Sequence, residues 1–368
     1  MLKILLTPLS WLYGLGVFIR NRAYDLNILK SKEFDVPVIS VGNITVGGTG
    51  KTPHVEYLVE QLKEKYKVAT LSRGYKRKTK GFRWVATGST ASEVGDEPLQ
   101  IKKKFPEITV AVCENRVKGV EELLKDNNDP SPDVILLDDA FQHRRITPGI
   151  NILLINYNRQ LKHDHLLPVG RMRERAHQVS RANIIIFTKC PDEIAPITRR
   201  ILQNDVELRP YQNLFFTKFE YGKLQPVNPN YTSNATFCQQ KEYAILVVTG
   251  IASPELLIKH LSRFSNQIEE LAFPDHHAFS PNDITAIQNK FEQIEATKKI
   301  IVTTEKDAVR FKDYEFLSND LKNIMYFMPI KVKFLDEGKN TFTKEIINYV
   351  GENKSNRELY KKQNSGKS

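Results

Sequence analysis

The apolar residues of this chain gather in short unbroken runs. Segments 38–41, 68–72, 134–137, 150–155 and 184–188 are nearly free of polar interruption and rich in Val and Ile. Runs of that length and composition predict strands covered on both faces, as in a parallel sheet. Helical patterns fall between them: Val55, Leu58, Val59, Leu62 and Tyr66 recur at one-face spacing, and 98–104 and 116–125 read as further helices. This alternation predicts a doubly wound α/β fold with ligands at the C-terminal ends of the strands. Segment 213–221 reads as another strand. The polar stretch 225–241, with Pro226, Pro229 and several Asn, Thr and Ser residues, then reads as a linker. A second α/β unit opens at 243–248 and continues through a helix over 253–264, a helix over 280–291 capped by Ser280, and a strand over 299–303. Segment 352–368 is polar, charged and nearly free of aliphatics, which predicts a loose tail.

The N-terminus departs from this pattern. Residues 4–19 are largely apolar but broken by Thr7, Pro8, Ser10, Gly14 and Gly16, and flanked by Lys3, Arg20 and Arg22. A bilayer span needs about 20 apolar residues. This stretch falls short, and no small-x-small cleavage site follows that would make it a signal peptide. Trp11, Tyr13 and Phe18 beside cations suit an amphipathic helix lying in a membrane interface. The alternative is a helix docked over the protein's own core.

Composition narrows the partners. At 368 residues, with 40% hydrophobic and 26% charged residues, the chain is that of a soluble globular protein with room for two domains. Its net charge of +11 favours a nucleotide, a phosphorylated substrate, an acidic membrane surface or nucleic acid. Cys113, Cys190 and Cys238 are dispersed and odd in number. They give neither a disulfide framework nor zinc spacing, which fits a reducing cytosol.

The run at 38–41 leads into Thr45-Val46-Gly47-Gly48-Thr49-Gly50-Lys51-Thr52, followed by Pro53 at a first-turn position. A strand, a Gly-rich turn and Gly-Lys-Thr opening a helix form the P-loop arrangement for a nucleoside triphosphate. Backbone N–H groups close around phosphate, Lys51 reaches the β/γ oxygens and the Thr52 hydroxyl serves Mg²⁺. Thr45 stands where the first glycine usually does. The run at 134–137 ends in Asp138 and Asp139, placed to support Mg²⁺ or its water shell, and Gln142 and His143 follow beside the same phosphate site.

Other loops carry chemistry with less context. Asp96, in Gly95-Asp96-Glu97-Pro98, reads either as a helix N-cap or as the base that accepts a proton from an attacking hydroxyl. His276 and His277 lie in a loop before the Ser280 helix. They read as structural histidines, as a metal site, or as a partner that orients a carboxylate across an interdomain cleft. Arg73, Arg116, the stretch 166–171 and Thr304-Glu305-Lys306-Asp307 hold charges at loop positions, where solvated or ion-paired surface roles are common.

In order, residues 41–53, Ser72-Arg73-Gly74-Tyr75, residues 95–98, Asp138-Asp139-Ala140-Phe141-Gln142-His143-Arg144, residues 166–170, 273–277 and 304–307 resemble the motifs of the tetraacyldisaccharide 4′-kinase family, the lipid A 4′-kinases of Gram-negative bacteria. The resemblance runs over roughly residues 1–350, with Ala140 where the family usually has glycine. It implies a P-loop NTPase-type doubly wound parallel sheet with a smaller α/β domain and an N-terminal amphipathic helix. The corresponding boundaries are 1–30, 31–224, a linker at 225–241, 242–351 and a tail at 352–368. It implies ATP and Mg²⁺ as cofactors, an acylated disaccharide 1-phosphate lipid as substrate, and a peripheral, monotopic enzyme on the cytoplasmic face of the inner membrane. By motif position, Asp96 becomes the catalytic base, His276 its partner, and Lys51 and Thr52 the phosphate and Mg²⁺ residues, with Asp138, Asp139 and Gln142 completing the metal environment. Asn43, Arg73, Arg116 and His143 are the candidate substrate contacts.

Rival functions fit less well. A GTPase needs Asn/Thr-Lys-x-Asp, whereas Thr188-Lys189-Cys190-Pro191-Asp192 places its carboxylate one residue late. A metallochaperone needs clustered Cys or His. A nucleic-acid-binding protein would account for the charge but leave the P-loop and Asp pair without a role, so no nucleic-acid partner is expected.

Overall fold

The computed structural model describes residues 2–125, 131–162, 164–228, 241–251, 253–312 and 317–365. The strands in chain order are β1 Val38–Gly42, β2 Val68–Ser72, β3 Arg83–Trp84, β4 Thr109–Val112, β5 Val134–Asp138, β6 Ile150–Asn156, β7 Ile184–Thr188, β8 Asn213–Tyr221, β9 Gln225–Pro226, β10 Ala244–Thr249, β11 Ile268–Ala272, β12 Lys299–Thr304, β13 Met325–Met328 and β14 Ile330–Phe334. The α-helices are α1 Leu2–Asp25, α2 Lys51–Leu62, α3 Ala91–Val94, α4 Asp96–Lys104, α5 Arg116–Leu123, α6 Pro196–Asp205, α7 Glu255–Leu261, α8 Pro281–Glu292, α9 Glu305–Lys312, α10 Asn319–Asn323 and α11 Gly338–Ser365.

One sheet has the order β14-β8-β7-β6-β1-β5-β2-β4-β3, with antiparallel strands only at its two edges. The apolar runs read from the sequence are its central parallel strands, buried along their whole length. β1 sits between β5 and β6, so Val41 pairs with Asp138 and the turn after β1 lies beside the carboxylates after β5. A Cβ on Gly42 would come within 2.7 Å of the Phe141 backbone nitrogen, so only glycine lets the two strand ends approach this closely. The smaller sheet, β11-β10-β12-β13-β9, has its own core of Leu246, Ile287, Ile301, Phe311 and Met325.

The division of the chain differs from the expected boundaries. Residues 229–240 of the expected linker lie outside the described residues, but Gln225 and Pro226 form β9 on the smaller sheet. After β13 the chain returns: β14 pairs with β8, and Phe342, Ile346 and Val350 of α11 pack into the large core. The smaller sheet is thus an insertion in the larger unit. The segments entering and leaving it form one antiparallel ribbon, paired as Tyr221 with Ile330 and Phe327 with Gln225, with Gly222 donating to the Pro329 carbonyl at 2.9 Å between them. The expected loose tail is a correction as well. α11 continues to Ser365, because Lys, Glu, Arg and Gln favour helix without needing an apolar face.

Candidate active site

The turn between β1 and α2 is preformed by its neighbours. Gly47 and Gly50 take φ values of 100° and 83°, and a Cβ on Gly50 would lie 2.6 Å from Phe219. Both demands select glycine. Asn43 Nδ2 donates to Thr49 Oγ1 at 2.8 Å, and Thr188 Oγ1 donates to the Thr49 carbonyl at 2.9 Å. Asn43 is therefore a buried support of the turn, and Thr45, in place of the usual glycine, forms a bridge to Met172.

His54 fastens α2 to β8. Nδ1 lies 2.7 Å from the Gly50 carbonyl, which can only accept, so Nδ1 carries the proton and Nε2 accepts from Thr217 Oγ1 at 3.0 Å. Burial pushes this histidine down to about 4, against the Gly50 hydrogen bond, which favours the charged form. Its contribution to stability is complete above about pH 6.5 and is lost as pH falls towards 4, where the unfolded chain binds the proton first. At 1.36 kcal/mol per pKa unit, that amounts to roughly 3 kcal/mol. The loss of stability between pH 6.5 and 4 is therefore expected to be shallower in His54→Gln, as measured by urea unfolding.

The Asp pair divides its labour. Asp138 is 1% exposed, and both its carboxylate oxygens are buried without a hydrogen-bond partner. Burial, with Glu97 adding and Lys51 opposing, pushes it up to about 7. An orphaned buried carboxylate is the group a cation would satisfy. Thr52, in the first turn of α2, lines the adjoining cavity. These donors fit a magnesium ion that keeps most of its other contacts to phosphate and water. Among the described residues, no group of three or more His, Cys, Asp or Glu is placed to hold a metal ion. Asp139, in the left-handed region at φ 48°, accepts from Arg173 at 2.9 and 3.1 Å and lies 3.8 Å from Lys51. Burial works against its charge, but Lys51 and Arg173 outweigh burial and hold its carboxyl below the usual range. Gln142 donates to the Asn43 carbonyl at 2.6 Å and accepts from Arg173 at 3.2 Å, so its amide braces the turn.

Asp96 does not act as a cap. α4 begins at Asp96 itself behind Gly95, at φ 92°, and the carboxylate turns towards the smaller sheet. His276 Nδ1 lies 3.0 Å from Asp96 Oδ2, Arg310 Nη2 donates to the same oxygen, and Lys306 Nζ stands 3.7 Å away. Lys306 Nζ is also 3.0 Å from His276 Nε2. A lysine ammonium only donates, so we assign the His276 proton to Nδ1, where it points at Asp96. Burial disfavours the Asp96 charge, yet the His276 hydrogen bond and the Lys306 and Arg310 cations prevail and hold it well below the usual carboxylate range. His276 adopts φ 57°, unusual for a non-glycine residue and common at functional sites. His277 has a different job: its Nε2 meets Asp283 at 3.0 Å, within the Ser280–Asp283 capping box of α8.

Among the candidate substrate residues, Arg73 is exposed beyond β2, whereas Arg116 is only 2% exposed. Arg116 donates to the carbonyls of Cys113 and Asp138, which makes it an anchor behind the Asp pair. Burial, reinforced by Arg116 and Arg73, pushes His143 down to about 4, so it is neutral at physiological pH. Tyr75 stacks edge-on against His276 with ring centroids 4.7 Å apart.

α1 is amphipathic with its faces reversed. Its inward side is polar: Ser10 donates to the Leu166 carbonyl, Tyr13 to the Arg173 carbonyl, and Arg20 and Asn21 to Glu174, whose side chain is 0% exposed. Trp11 and Phe18 are 74% and 49% exposed, and Leu9, Leu12, Leu15 and Ile19 share their exposure. Apolar docking over the protein's own core is thus not how this helix is held. No described helix is long and apolar enough to cross a membrane.

A cavity of about 420 Å³ joins these parts. The phosphate turn, Asp139 and Glu97 line it from the larger unit, His276 and Lys306 from the smaller, and Phe219, Tyr221, Leu257 and Met328 form an apolar end suited to a base. Arg310 and Arg173 were not singled out from the sequence, and Lys306 was read there only as one charge within the 304–307 motif. The available signal was the four-residue spacing of Lys306 and Arg310, which places both on one face of a helix opening at Glu305.

A profile of the family described as Tetraacyldisaccharide-1-P 4′-kinase matches residues 2–350. A tetraacyldisaccharide 4′-kinase from Phocaeicola vulgatus is 49% identical over 353 residues, covering 95% of this chain and 96% of its own. That of Bacteroides thetaiotaomicron is 46% identical over 370 residues, covering 99% and 97%. The crystal structure of LpxK from Aquifex aeolicus in complex with ATP is 32% identical, with a TM-score of 0.71, and covers 95% of this chain and 99% of that one.

Proposed function

Since the chain belongs to the tetraacyldisaccharide-1-P 4′-kinase family, it is a lipid kinase that uses ATP to phosphorylate the 4′-hydroxyl of the lipid A precursor disaccharide 1-phosphate, and we propose that Asp96, aimed by His276, receives the proton of that hydroxyl. The observation that carries this assignment is the single cavity shared by the phosphate turn and the His276 wall beside Asp96. The 4′-oxygen forms a bond to the γ-phosphorus, the bond from that phosphorus to the β–γ bridging oxygen breaks, and ADP leaves. A carboxylate held this low takes up the proton only when the new O–P bond is well advanced. That timing suits the loose transition state of phosphoryl transfer. Lys51 would stabilise charge on the transferring group, and Asp138 with Thr52 would hold magnesium. When bound, the ion neutralises charge on the β- and γ-phosphates. The direct test is transfer of label from γ-labelled ATP to disaccharide 1-phosphate in mixed micelles, with magnesium present or chelated. Labelled lipid only when magnesium is present supports the reading, and label released solely as inorganic phosphate argues against it.

We infer a peripheral, monotopic position on the cytoplasmic face of the bacterial inner membrane, and the reversed α1 supports the membrane contact. Its polar side is satisfied by protein, so its apolar side is left for lipid, and Arg22 lies in its last turn. Burying a large apolar side chain is worth about 1.5–3 kcal/mol. Trp11→Ser with Phe18→Ser is therefore expected to lower co-sedimentation with anionic vesicles at least tenfold without lowering the melting temperature. Undiminished vesicle binding would rule α1 out as the membrane contact.

A further inference from the structure

Lys306 is the one cation that the smaller unit places on the wall of the nucleotide cavity among the described residues. It stands in the first turn of α9, directly after β12. Its Nζ is 3.0 Å from His276 Nε2, 3.3 Å from Asp275 Oδ1, 3.7 Å from Asp96 Oδ2 and 3.8 Å from Glu97 Oε1. These partners cluster around Asp96, and three of them, His276, Asp275 and Glu97, line the cavity together with Lys306. The neighbouring Arg310 is differently placed: it is buried and divided between Asp96 and the His277 carbonyl. The wall around Lys306 is otherwise carboxylate-rich, with Asp96, Glu97, Asp275 and Glu305. A terminal phosphate approaching it would meet like charge unless a cation stood between. A flexible four-carbon stem and three donors suit lysine to that position, since it can exchange one set of oxygens for another.

We propose that Lys306 is a second phosphate-binding lysine, supplied by the smaller unit, which leaves Asp96 and His276 for the terminal phosphate when a nucleoside triphosphate binds. Lys51 grips the nucleotide from the larger unit and Lys306 from the smaller, so the γ-phosphate itself draws the two units together. The exchange also removes a positive charge from beside Asp96 when the base is needed. A diphosphate, with no γ-phosphate, leaves Lys306 on its carboxylates. The proposal rests on the ATP-site reading above.

The test is equilibrium binding by calorimetry of ADP and of a non-hydrolysable β,γ-imido ATP analogue, in magnesium buffer, to the full-length protein. In Lys306→Met the analogue is expected to bind about tenfold or more weaker, while ADP changes by less than about twofold. Lys306→Arg should recover most of the lost discrimination. Equal weakening of both nucleotides, or no change in either, overturns the proposal. Should the methionine variant fail to fold, Glu97→Gln decides: removing a competing carboxylate should raise the ratio of analogue to ADP affinity, and an unchanged or lower ratio overturns it. A wild-type protein that binds neither nucleotide would instead sink the ATP-site reading.

Discussion

Lys51→Ala is expected to leave a folded protein whose kcat is lower by about 10²–10³, the loss found when a preorganised charge-stabilising group is taken from a transition state. Lys51 is fixed by position: it is the first residue of α2, its side chain is mostly covered, and Asp139 Oδ2 lies 3.8 Å from its Nζ. Of the other cations that the larger unit places on the same wall, Arg173 is engaged with Asp139 and Gln142, and Lys189 stands beside Gly48 at the opposite end of the turn from Asp139. Circular dichroism and thermal unfolding establish that the variant is folded, and steady-state kinetics at saturating ATP read the effect. A folded Lys51→Ala enzyme with near-normal kcat would show that the turn after β1 does not hold the transferring phosphate.

The second large effect concerns Asp96 and His276, which lie 180 residues apart and meet only because the smaller unit is set against α4. Asp96→Ala is expected to lower kcat by roughly 10²–10⁴, the range for loss of a positioned general base. It also leaves Arg310 and Lys306 without their shared carboxylate, so Asp96→Asn, which keeps the shape, is the companion variant. His276→Ala should cost less, because the carboxylate stays and Arg310 still holds one oxygen. The double variant should be little worse than Asp96→Ala alone, since residues acting as one unit fail together. If the two losses multiply independently, the dyad is wrong even though both residues matter.

Much of this site was legible because a strand followed by a Gly-rich turn and Lys-Thr leaves few alternatives, and because an apolar run ending in two aspartates specifies both place and chemistry. The central strands β1, β2, β5, β6 and β7 of the large sheet followed from the same unbroken apolar runs. What stayed hidden depends on packing between distant segments. Nothing local in Arg310 says that its guanidinium reaches Asp96, and Lys306 reads as an ordinary surface charge until α9 is placed against α4. Arg116 illustrates the opposite error. An arginine at a helix start reads as a solvent-facing anion contact, yet its stem and head are enclosed and its donors close the ends of two strands. The return of β14 and α11 to the large sheet escaped notice because a strand's pattern reveals its burial and not its partners. α1 was read as amphipathic, but which face met the protein depended on Glu174, a buried carboxylate more than 150 residues away that calls the polar side inwards.

The paired ribbon that carries the chain into and out of the smaller unit has a mechanical consequence. A single linker lets a domain swivel in any direction. Two strands hydrogen-bonded side by side behave as a leaf spring, compliant out of their plane and stiff within it, because in-plane bending or sliding must break ladder bonds such as those between Tyr221 and Ile330. Any travel of the smaller unit would thereby be reduced to essentially one flexing coordinate. Along that coordinate Asp275, His276, Lys306 and Arg310 would move relative to Asp96 as one body, and a return would bring the same atoms to the same register.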